Sequence, residues 1–212
     1  MVKLAVTEGI DSAIKPKSMG KDDNMTRKEA MEIFEKHVTQ ESLKKHTLAV
    51  EAGVRGYGKK FDQDIDQWSA AAILHDLDYE QYPEEHPFIG AKILREQNVD
   101  EEIVEAILGH GDHTGVPRKS LLAKVLYASD ELSSFIVACA LVRPSKSFED
   151  LKVKSVKKKL KDKAFAKGVD RDILKKGAEE LEMDLEDHLN NMIEFLRLRE
   201  RELNNEGESL LE

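Results

Sequence analysis

Leu74-His75-Asp76-Leu77-Asp78 decides how the rest of the chain is read. It follows the small apolar run Ala70-Ala71-Ala72-Ile73, so an imidazole and a carboxylate stand side by side where a helix that reads as buried comes to its end. A buried carboxylate without a partner costs several kcal/mol or loses its charge. Asp76 therefore calls for a charge, hydrogen-bond or metal partner. Candidates lie at His46 upstream, at His86 and His110 downstream, and at Asp130 later still.

Helical spacing aims each candidate inward. Asp64 can cap a helix in which Ile65, Trp68, Ala72 and His75 share a face, with Asp76 at its end. Upstream, Thr26 and Glu29 have capping-box spacing before Ile33, Phe34, His37 and Val38. Thr39 then caps a helix whose inward stripe is Leu43, His46, Thr47, Val50, Val54 and Tyr57. Alone, His46 reads as a satisfied core histidine; the company of the other candidates makes it a ligand.

Downstream, residues 77–85 form a polar loop in which Asp78 and Glu80 either line a pocket or are solvated. His86-Pro87 reads as a helix start with Pro at the first helical position, and Ile89, Ile93 and Leu94 supply its apolar stripe. Asp100 can cap a helix carrying Ile103, Ile107 and His110 on one face. Gly109, Gly111 and Gly115 break it and leave Asp112 and His113 on a loop at the mouth of the presumed site. His113 is open to three readings: a ligand, a general acid or an ordinary loop histidine. Ser120 starts a long helix in which Asp130 needs a strong partner.

After Arg143-Pro144 the composition shifts. Residues 151–176 carry ten Lys and one Arg against three Asp, and residues 177–212 carry twelve acidic residues against three Arg. Val153, Val156, Leu160 and Ala164 should dock the basic stretch on the core. Lys154, Lys157 and Lys158 either face a phosphate-bearing substrate or form a solvated face. Leu181, Leu185, Leu189, Met192 and Leu196 make a last amphipathic helix, with His188 and the tail beyond Arg201 expected at the surface. No segment shows the alternation of a strand. The expectation is an all-α protein: an extension over 1–24, a helical domain over 25–145 that carries these candidates and C-terminal helices over 146–212 packed on it.

With 212 residues, 40% of them hydrophobic, the chain is long enough for one well-packed core. A formal net charge of −9 argues against nonspecific binding to nucleic acid or an anionic membrane. No apolar run approaches membrane-spanning length. The single cysteine, Cys139, sits in an apolar stretch and cannot close an internal disulfide, so a reducing, cytoplasmic setting is expected.

The ordered set His46, His75-Asp76, His86-Pro87-Phe88-Ile89-Gly90-Ala91, His110 and Tyr127-Ala128-Ser129-Asp130 resembles the HD superfamily of metal-dependent phosphohydrolases, over roughly residues 26–145. The resemblance implies that His46, His75, Asp76 and Asp130 bind one divalent ion and that His86 and His110 help hold a second, with Asp76 as the bridge. Imidazole and carboxylate ligands suit iron or manganese, with zinc or magnesium also compatible. Two ions about 3.5–4 Å apart would activate water for in-line attack on a phosphoester or phosphoanhydride. Asp76 and His113 are then the catalytic candidates, and Arg143, Lys154, Lys157 and Lys158 the candidates for binding the remaining phosphates.

The His-Pro-x-x-Gly-Ala element is similar to that of the bacterial branch hydrolysing diadenosine tetraphosphate, although His75 and His86 stand closer together here and the loop after His110 differs. A nucleotide or related small phosphorylated molecule is the implied partner, and a homodimer is compatible. The competing reading is a helical ligand-binding or regulatory module that keeps the metal site without turnover; it would be favoured by a missing ligand, and none is missing.

Overall fold

The computed structural model describes residues 25–211, so the expected extension over 1–24 lies outside the described residues. The fold is all-helical. Nine α-helices follow one another among the described residues: α1 Arg27–His37, α2 Glu41–Lys60, α3 Ile65–Leu74, α4 Phe88–Glu96, α5 Glu101–Gly109, α6 Leu121–Leu141, α7 Val153–Lys161, α8 Arg171–Glu180 and α9 Leu185–Glu206. A single 3-10 turn, Asp112–Thr114, separates α5 from α6.

The caps follow the sequence closely. Thr26 and Glu29 form the reciprocal capping box of α1, and the side chains of Asp64, Asp100 and Ser120 accept from the first-turn amides of α3, α5 and α6. Two starts differ. Gln40, not Thr39, is the N-cap of α2 and makes no side-chain cap. Thr39 is engaged elsewhere: its amide and hydroxyl, with the Gln40 amide, donate to the Glu80 carboxylate at 2.6–3.0 Å. Glu80 thereby ties the 77–85 loop to the head of α2. Pro87 is the N-cap of α4 rather than its first helical residue, and the helix begins at Phe88.

The centre of the bundle is α2, α3 and α6, with α1 against α3, α5 against α3 and α6, and α4 against α5. The C-terminal helices do not form a separate body: α8 packs on α6, and α9 packs on both α2 and α6. One apolar cluster accordingly runs from Phe34, Val50 and Ile73 through Leu126 and Phe135 to Leu189, Met192 and Leu196. Gly177 on α8 is what lets that helix approach α6, since a Cβ there would stand 2.8 Å from the Ala128 Cα.

Two surface expectations are corrected by this packing. His188 is fully buried: the Tyr57 hydroxyl donates to its Nδ1 at 2.5 Å and its Nε2 donates to the Ala128 carbonyl at 3.0 Å. The tail is exposed at Glu202 and over 204–208 as expected, but Leu203 and Leu210 are buried in the core. An amphipathic α9 seated across α2 has its polar stripe narrowed, and a histidine with two partners can then be buried without penalty.

Candidate metal centre

Five elements deliver the candidate ligands to one place. His46 lies midway in the first half of α2, His75 caps α3 with Asp76 next to it, His86 precedes α4, His110 caps α5 and Asp130 sits in the middle of α6. Their side chains are nearly buried: His75 is 0% exposed, His110 6%, His86 9%, Asp76 11%, Asp130 17% and His46 20%.

Each imidazole is oriented through Nδ1. His75 Nδ1 donates to the Ala72 carbonyl at 2.7 Å, His110 Nδ1 to the Ile107 carbonyl at 2.5 Å and His86 Nδ1 to Asp78 Oδ1 at 2.7 Å. His46 Nδ1 lies 2.9 Å from the Ser134 hydroxyl. A carbonyl or a carboxylate only accepts, so three of the four rings must hold their hydrogen on Nδ1 when neutral, and their Nε2 lone pairs face one another. His46 Nε2 is 3.3 Å from His75 Nε2, and His86 Nε2 is 3.0 Å from His110 Nε2. The facing lone pairs of His86 and His110 repel at 3.0 Å unless a proton or a cation lies among them.

Asp76 stands between the two pairs. Its Oδ2 is 3.4 Å from His46 Nε2 and 3.4 Å from His75 Nε2, while its Oδ1 is 3.3 Å from His86 Nε2 and 3.8 Å from His110 Nε2. Asp130 Oδ1 completes the first group, 3.1 Å from His46 Nε2 and 3.7 Å from His75 Nε2. Ligands about 2.0–2.2 Å from one ion stand roughly 3–3.5 Å apart, so these spacings suit a cation held by imidazole and carboxylate. Two sets of ligand-type atoms, His46/His75/Asp130 and Asp76/His86/His110, each fall within 4.8 Å of one another.

Electrostatics support the same conclusion. Burial penalises the charged form of His46, yet Asp130 and Asp76 outweigh it and push the ring up to about 10. His75 is raised against its burial by Asp76 and Asp130. The two carboxyls, despite burial, are held well below the usual range by His75 and His46. His110 is lowered, first by burial and then by His75. The buried acidic charge is thus answered by protons on His46 and His75, which a divalent cation can replace.

Asp78, one of two loop carboxylates left open between pocket and solvent, is buried behind the site. Besides holding His86, it accepts from the Gly90 amide at 2.6 Å. Gly90 allows this approach, since a Cβ there would lie 3.1 Å from the Asp78 Cγ.

The ligand atoms open onto a cavity of ≈ 580 Å³ whose walls include Tyr79, Asp112, His113, Tyr127, Glu131 and Ser134. His113 is exposed on the rim, and its Nε2 donates to the His86 carbonyl at 2.9 Å. Asp112 is committed to Arg118, Lys176 and the Tyr127 hydroxyl. Burial, then the charge of Asp130, raises the Glu131 carboxyl to about 7. Glu131, Ser134 and Tyr79 escaped the sequence reading. Ser134 had a signal, since it lies four residues after Asp130 and so on the same face of α6.

The expected phosphate-binding side chains are not gathered here. Arg143 bonds Asp150 and lines a different cavity with Lys158. Lys157 pairs with Glu186, and Lys154 is exposed on α7. Docking α7 through Val156 and Leu160 turns its lysines outward, as the solvated-face reading has it.

Residues 43–134 match the model of the HD domain family. No curated protein and no solved structure matches the chain. The matched segment contains His46, His75, Asp76, His86, His110 and Asp130, all of the side chains whose ligand atoms converge. Over residues 43–134, less than half of its length, the chain is similar to the HD domain family.

Proposed function

We propose that the protein is a metal-dependent phosphohydrolase acting on a small phosphorylated molecule, with two divalent ions held by His46, His75, Asp76, His86, His110 and Asp130. The observation that carries this reading is Asp76, whose two oxygens face separate histidine pairs at 3.3–3.8 Å. A carboxylate so placed suits a bridge, and the donor set of four imidazoles and two carboxylates suits iron or manganese. When bound, such ions supply Lewis-acid charge for phosphoryl oxygens and make water nucleophilic at neutral pH.

The chain's own residues do the rest. Asp78, Ser134 and the Ala72 and Ile107 carbonyls fix each ring so that Nε2 faces inward. His113 and Glu131, both on the cleft wall, are the candidates for moving a proton to the leaving group. A nucleotide substrate is supported by the His86-Pro87-Phe88-Ile89-Gly90-Ala91 resemblance alone. A buried, unpaired Cys139 supports a reducing compartment.

The test is turnover of a panel of nucleotides and phosphoesters by protein loaded with manganese or iron. Asp76→Ala should lose hydrolysis and metal together. Metal content that survives in the unmodified protein with no turnover of any ester would favour the non-catalytic module.

A further inference from the structure

Beside the metal cleft runs a second cavity, of ≈ 440 Å³, that shares Ser42, His46 and Ser134 with it. Its floor is two helical stripes. Ser42, Lys45, His46 and Ala49 come from α2, and Ser134, Val137, Ala138 and Leu141 from α6, each at the spacing of one helix face. From Ser134 to Leu141 the groove follows α6 away from the candidate ligands for about 10 Å, at 1.5 Å of rise per residue.

The third wall is the C-terminal tail. Leu210 and Leu211 close the groove, and they are held there by Glu200 of α9. The Ser209 hydroxyl donates to Glu200 Oε1 at 2.6 Å, the Leu210 amide donates to Glu200 Oε2 at 2.8 Å, and the Leu211 amide donates to the Ser209 hydroxyl at 2.9 Å. The wall is therefore built, with its backbone donors answered, and presents aliphatic side chains.

This lining selects against a nucleobase. Its one aromatic ring, His46, belongs to the metal cleft and engages Ser134 Oγ through Nδ1, which leaves the Ser42 hydroxyl and the Lys45 side chain as the other polar groups among six aliphatic ones. Most donors and acceptors of a base edge would enter it unpaired beyond Ser42 and Lys45, whereas methylene groups lose nothing there. Resting on the phosphohydrolase reading of the metal cleft, we infer that the groove between α2 and α6 receives an aliphatic chain of the substrate, whose phosphate lies at the His46 end. The substrate class is then an alkyl or isoprenoid phosphate ester, and Glu200 is a positioning residue that acts through the Leu210-Leu211 wall.

The test uses equilibrium binding by calorimetry to the full, manganese-loaded chain, so that it reads out whether or not any ester turns over. The probes are octylphosphonate, methylphosphonate and adenylate. Octylphosphonate should bind about tenfold or more tighter than methylphosphonate. Ala138→Phe, which fills the groove, and Glu200→Ala, which releases its wall, should each erase that gain and leave methylphosphonate affinity unchanged. Equal binding of the two phosphonates by the unmodified protein overturns the inference, as does a chain-length gain that survives both variants. Adenylate affinity that falls in Ala138→Phe without any octyl preference would place a base in the groove and overturn it as well. A chain-length gain without hydrolysis of any ester would sink the phosphohydrolase reading and leave the groove assignment standing.

Discussion

Asp78 Oδ1 accepts from His86 Nδ1 at 2.7 Å. This bond settles which nitrogen of His86 carries hydrogen and leaves Nε2 facing His110 and Asp76. Outer partners of this kind typically contribute about 10–100-fold in metal affinity. Asp78→Asn should therefore weaken binding of one metal equivalent by that factor while the protein stays folded. Metal titration followed by calorimetry checks it; an unchanged isotherm would remove Asp78 from the support of the site.

Gly177 meets the backbone of Ala128, two residues before Asp130, and a helix cannot yield there as a flexible side chain could. Gly177→Ala should lower stability by about 1–3 kcal/mol through overpacking, despite the better helix propensity of Ala. Urea unfolding monitored by circular dichroism measures it. A neutral or stabilised variant would show that α8 shifts off α6 freely.

Much of the fold and of the candidate site is legible in the sequence, for local reasons. Capping boxes, single caps and face spacing act within a few residues, and they place His46, His75, His110 and Asp130 on inward faces as the structure has them. What is not legible depends on contacts far apart in the chain. Thr39 has the chemistry of a cap but spends it on Glu80, forty-one residues away. Asp78 and Glu80 share one polar loop, yet one is buried behind His86 and the other ties α2. His188 lies on a polar stretch of α9, and only the seating of that helix against Tyr57 and Ala128 buries it. The lysines of α7 have the composition of a phosphate site, but Lys154, Lys157 and Lys158 are exposed and Lys157 pairs with Glu186.

His188 gives a pH dependence with a definite sign. Burial lowers it to about 4, from an ordinary value of 6.5. As pH falls the unfolded chain takes up the proton first, so the stability this residue contributes is present above about 6.5 and is lost progressively toward 4. Between pH 7 and pH 5 that loss is about 2 kcal/mol. The unmodified protein should thus lose more stability over this interval than His188→Gln does, by about that amount, in paired urea titrations. Parallel pH profiles would mean that His188 charges without leaving its place.

If Asp76 divides its two oxygens between two metal positions, as proposed, metal stoichiometry shows it most directly. The unmodified protein, stripped of metal and reconstituted with iron or manganese, should hold two equivalents per chain. The His86→Ala/His110→Ala double variant should hold one, with an unchanged helical circular dichroism spectrum. If the unmodified protein never exceeds one equivalent with either metal, the two-position account is contradicted, and His86 and His110 become residues that bind substrate or transfer protons.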